Sequence, residues 1–215
     1  MRQTAKTKTT DDIHQAQPSD GRLANDVKAE HMSFDAFASV TTENARAVSY
    51  WNSLPRNIGE APRSANCDLL EIAENLPTCF VLDLNGPADW PLRLVGTELV
   101  KHFGADMTGV NGYDVYDPSE RDLVIGRTQI ILDHSAALWT VNRLVDGEGR
   151  VLDSEWICLP LSNEGGNVVR ILGSIASFAS PLEYRDFKLD GNLTGRQLIK
   201  LAYASDDPGA LNQTV

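Results

Sequence analysis

The chain has 215 residues, 42% of them hydrophobic, which is enough to build a core, and a formal net charge of -11. That charge argues against partners that demand a basic patch, namely a nucleic-acid backbone and an anionic membrane surface. No run approaches the roughly 20 apolar residues of a spanning helix, and the N-terminus lacks the apolar stretch of a secretory signal, so a cytoplasmic protein is expected.

Residues 1–32 are polar and nearly devoid of large apolar side chains, so they are expected as a disordered tail. A folded domain is expected over 33–180 and a C-terminal extension over 181–215. Thr41 and Thr42 can cap a helix over 44–51, in which Ala45, Val48 and Trp51 share one face, and Pro55 ends it. Asp68 with Glu71 three residues on makes a capping-box pattern for a short helix carrying Leu69, Ile72 and Ala73, stopped at Pro77. Residues 78–84 suit a pleated surface, and the turn Asn85-Gly86-Pro87 leads to a second strand over 90–95. Two short helical pieces follow, over 97–103 and around 110–116.

Asp117-Pro118-Ser119-Glu120 is the strongest local signal. Asp caps, Pro takes the first helical position and Glu reaches back, predicting a helix to about His134 with Leu123, Ile130 and Ile131 turned inward. Three strands close the pattern, over 139–145, 151–161 and 168–177, joined by Asp-Gly and Gly-Gly turns. The last strand is apolar at successive positions, so cover is expected on both sheet faces, from the Trp51 helix or from a second subunit. Thr194-x-x-Gln197 predicts a short amphipathic helix carrying Leu198, Leu201 and Ala202.

In order, the chain reads Trp51-x-x-Leu54-Pro55, Ile72-x-x-x-Leu76-Pro77, Arg93-Leu-Val-Gly96-Thr97, Phe103-Gly104-x-Asp106-x-Thr108-Gly109 and Leu159-Pro160-Leu161. Across roughly 45–178 this resembles a bacterial PAS domain family best represented in alphaproteobacteria, the PAS_5 type. The resemblance implies an α+β fold: a five-stranded antiparallel sheet with helices crossing one face, here with an N-terminal helix and disordered terminal tails added. It also implies a non-catalytic sensory or regulatory protein that works by small-ligand binding, by contact with a signalling partner, or both, and frequent homodimers. Val48 and Trp51 are the residues expected at a dimer or partner surface.

If the fold holds a ligand, it is expected between the sheet and the long helix, lined by Leu94, Phe103, Ile130, Trp156 and Cys158. The ligand would be small and apolar or amphipathic. Trp139 and Trp156 lie on paired strands and are expected to pack in the core, as a cross-strand or pocket-lining pair. Cys67, Cys79 and Cys158 have no CxxC spacing and read as ordinary thiols. They also fall outside the helical segment in which a flavin photosensor carries its reactive cysteine. His14, His31, His102 and His134 have no metal-ligand spacing, and neither His102 nor His134 stands in a haem-binding context, so no metal and no cofactor is expected. The competing reading is a small isomerase or dehydratase on a cone-like α+β fold, with Asp83, Asp133 or His134 handling a proton. Asp133 and His134 are neighbours on a helix and therefore point apart.

Overall fold

The computed structural model describes residues 30–32, 41–179, 193 and 196–205. The expected disorder of the tails over 1–29 and 206–215 lies outside the described residues. Among the described residues, seven strands and three α-helices form the framework: β1 Glu30–Met32, α1 Thr42–Ser53, β2 Cys79–Asp83, β3 Leu92–Val95, α2 Thr97–Phe103, α3 Arg121–His134, β4 Ala137–Val145, β5 Val151–Ser162, β6 Val168–Ser177 and β7 Gln197–Ala204. Among the described residues no helix is long and apolar enough to cross a membrane.

The strands make one sheet in the order β1-β7-β4-β5-β6-β2-β3. Its last five members are the five antiparallel strands anticipated from the sequence, and the long β4–β5–β6 meander is built on its two turns. The sheet is wider than expected by two strands. β7 pairs antiparallel with β4, and β1, inside the segment expected as a tail, pairs parallel with β7. Gln197–Ala204 is therefore a strand and not the expected helix. Leu198, Leu201 and Ala202 satisfy helical spacing, but extended backbone lets this segment hydrogen-bond along an otherwise bare β4 edge, which outweighs local propensity.

Both faces of the sheet are covered. On one face α1 lays Ala47, Val48 and Trp51 over Val81, Trp139, Ile157 and Leu172, all buried. The Trp51 ring is 0% exposed, and its indole N–H donates to the Pro160 carbonyl at 2.8 Å. Val48 and Trp51 are thus enclosed within the chain and not presented to a partner, which corrects their expected place at a surface. The opposite face carries Phe80, Ile171, Leu201 and Tyr203 toward Ile130 and Ile131 of α3.

Local chemistry accounts for the joints. Asp117 accepts from the backbone N–H of Ser119 at 2.9 Å, as a cap should, but Glu120 turns away to pair with Arg196. Pro118–Glu120 forms a 3-10 turn before α3 begins. Thr41 does not cap α1 with its side chain; its N–H and hydroxyl both donate to the buried Glu155 carboxylate, at 2.9 and 2.5 Å. Asp68 does cap the 3-10 segment Leu69–Thr78, accepting from the Leu70 N–H. A Cβ on Gly96 would lie 2.2 Å from the Leu76 carbonyl oxygen, so the Gly-Thr step into α2 needs a residue without a side chain.

Candidate functional site

Between the second face of the sheet and the helical layer lies a cavity of about 110 Å³. β2 and β3 supply Phe80, Leu82, Leu92 and Val95, and the meander supplies Leu138, Trp156 and Ile171. α2 closes one side with Leu99 and Phe103. α3 presents Val124, Arg127, Thr128 and Ile131, one stripe at i, i+3, i+4 and i+7. Phe80 stands opposite Gly173 in the β2–β6 register, and a Cβ on that glycine would fall inside the Phe80 ring at 2.0 Å. The glycine therefore lets the ring lie against the sheet and not across the cavity.

Of the five residues expected to line a pocket, Phe103, Trp156 and Cys158 do so, and Leu94 and Ile130 do not. The strand register explains Leu94. Val81 pairs with Leu94 but Leu82 pairs with Leu92, so Arg93 is a bulge residue and the alternation breaks there. Leu92 and Val95 reach the cavity, and Leu94 packs beneath α1's face. Ile130 is buried in the same α3–sheet cluster as Ile131 and Ile171 but sits one helical position off the lining stripe. Trp139 pairs in register with Ile157 and Thr140 with Trp156, so the two tryptophans occupy opposite faces and do not form the expected pair. Trp139 instead donates to Glu155 at 2.5 Å.

The residues that sequence reasoning missed are two arginines. Arg127 is 6% exposed, lines the cavity, and makes no hydrogen bond or ion pair with any described residue; its Nε is buried without a partner. Burial lowers its affinity for a proton, and the nearby Arg196 charge adds to the effect. Arg196, just ahead of β7, reaches the same cavity with a side chain only 3% exposed. Its guanidinium donates to Glu120 Oε2 and Asn142 Oδ1, both at 2.8 Å, and lies 5.3 Å from the Tyr116 ring centroid. The Asn142 amide in turn donates to Thr140 Oγ1, another cavity residue, at 2.8 Å. Nothing in the sequence pattern marks Arg127, because an arginine within a helix ordinarily lies on a solvated face.

None of the groups in the enzyme reading reaches this cavity. Asp83 accepts from Arg170 Nε at 2.6 Å, Asp133 accepts from Gln129 Nε2 at 2.7 Å, and neither these two nor His134 is among the lining residues. Cys158 lines the cavity from β5; burial pushes its thiol up to about 12, which keeps it protonated at neutral pH. No group of three metal-ligating side chains is assembled among the described residues.

Comparison with known proteins places this geometry. The PAS domain family matches residues 40–176, from α1 to the end of β6, which is more than half of the chain. Among solved structures, the chain is similar to the PAS domain of a protein from Colwellia psychrerythraea, at 19% identity over 52% of this chain and 98% of that one, with a TM-score of 0.38. It is also similar to the PAS domain of Bordetella pertussis BvgS, at 17% identity over 55% and 93%, TM-score 0.38. The dark structure of the blue-light photoreceptor Aureochrome1 LOV aligns at 14% identity over 60% and 94%, TM-score 0.40. A search of curated proteins returns no match. With a family match spanning α1 and the five strands β2 to β6 over more than half of its length, the chain belongs to the PAS domain family, whose members are sensory signalling domains and generally non-catalytic.

Proposed function

We propose that this protein is a non-catalytic sensor that binds a small amphipathic ligand between its sheet and α3 and passes occupancy to a signalling partner or a second copy of itself. The observation that carries this reading is the cavity itself: its walls are aromatic and aliphatic, with a few polar groups set among them, the usual composition of a small-molecule site. The proton handlers required by the enzyme reading lie elsewhere, which favours binding over chemistry. Signal output through contact suits a chain whose ligand would touch α3, the meander and the approach to β7 at once.

Native mass spectrometry of the freshly purified chain tests this directly. Mass in excess of the 23.5 kDa chain that is lost on denaturation is the expected result, and a doubled species would establish the homodimer. A bare monomer that neither gains mass nor melts higher with any amphipathic compound offered would overturn the reading.

A further inference from the structure

Among the described residues the charge at the cavity does not balance. Two lining guanidiniums, Arg127 and Arg196, stand against one adjacent carboxylate, Glu120, which Arg196 already engages through Nη2. The other described titratable groups nearby add no negative charge. Burial pushes the Tyr116 hydroxyl up to about 12 and raises Tyr203 as well, and Cys158 stays a thiol. Guanidinium does not shed its proton in proteins, so Arg127 remains a cation in an apolar enclosure. A buried cation is retained at a cost of several kcal/mol unless something pairs with it. Its Nε has no partner, and Arg196 repels it.

We propose that the cavity is a receptor for an organic monoanion, a carboxylate on an apolar body, with Arg127 as the residue that takes the head group. This rests on the ligand-binding reading above and names the class of ligand. A planar fork of N–H donors matches a carboxylate, and one negative charge brings the two arginines and Glu120 to neutrality. Arg196 serves as the fixed member: Glu120 and Asn142 hold it, while Arg127 is left for the ligand. The apolar body would lie along Phe103, Trp156 and Ile171.

The test compares octanoate with 1-octanol, equal in length and different in the head group, by titration calorimetry on the full chain. Wild type is expected to bind octanoate at least about tenfold tighter, the least that a charge-assisted pair should contribute. Arg127→Met should bring the two probes within about twofold of each other while still binding 1-octanol. Arg127→Lys, which keeps the charge and loses the fork, should retain an intermediate preference for octanoate. The unliganded Arg127→Met variant should also melt above wild type, because it removes an uncompensated charge. Equal binding of both probes by wild type, a preference that survives in Arg127→Met, or a lower melting point of that unliganded variant would overturn the anion assignment and leave the ligand-binding reading in place. Failure of wild type to bind either probe would overturn the anion assignment, and together with a bare native mass and no melting shift from any amphipathic compound it would overturn the ligand-binding reading as well.

Discussion

Cys158 occupies a place where a titratable side chain is made to behave as an apolar one. Its thiol is pushed from an ordinary 9.0 to about 12 by burial alone, and Cys79 on the opposite face rises to about 11 for the same leading reason. A group whose folded pKa is raised stabilises the fold fully below its unfolded value, and that contribution is lost as pH climbs toward the folded one. Melting temperature should therefore fall between about pH 9 and 11, and Cys158→Ala should shrink that fall whatever it does to stability at neutral pH. A slope across this window that is identical in wild type and variant would mean the thiol is not held protonated. At this scale the sequence was only partly legible. Phe103, Trp156 and Cys158 could be placed because strand alternation and helix phase hold around them. Leu94 could not, since the Arg93 bulge is a property of the pairing with β2 and leaves no local mark. Arg127 could not be read either, because what makes it unusual is the absence of a partner in three dimensions.

Among the elements, α1 and β7 teach opposite lessons. The helix was legible because its apolar spacing and the Leu54-Pro55 exit agree, and the structure seats Val48 and Trp51 on the sheet as expected, with Ala47 in place of the exposed Ala45 completing the face and Thr41 entering the helix without a side-chain cap. Trp51→Ala would leave a cavity beneath α1 and the Pro160 carbonyl without its indole donor. A loss of about 3–5 kcal/mol is expected, read as a lower denaturation midpoint. Sedimentation of the variant that remains folded should match wild type; an altered oligomer at unchanged stability would return Trp51 to an intermolecular surface. β7 was misread because Leu198, Leu201 and Ala202 fit a helix as well as a strand, and the deciding factor, the unpaired edge of β4, lies over fifty residues away in sequence.

For the molecule as a whole, element order alone carried the topology: two strands, short helices, one longer helix and a three-stranded meander leave few ways to close an antiparallel sheet. The two outer additions, β7 and β1, were invisible to that logic. The resulting order places β5 at the centre of seven strands with side chains covered on both sides, and β3 at a short, bulged edge. Hydrogen exchange should therefore be slowest at the amides of β5 and markedly faster along β3. Equal protection of the two would mean that the sheet opens only as a unit.

The family match ends at residue 176, yet Leu193 and Arg196, which finish the cavity wall, come after it. The cavity wall is thus drawn from two stretches of polypeptide, the family segment and the piece that follows it. On the anion reading proposed above, the family segment supplies Arg127, the appended piece supplies its fixed neighbour Arg196, and the head-group site is complete only where the two meet.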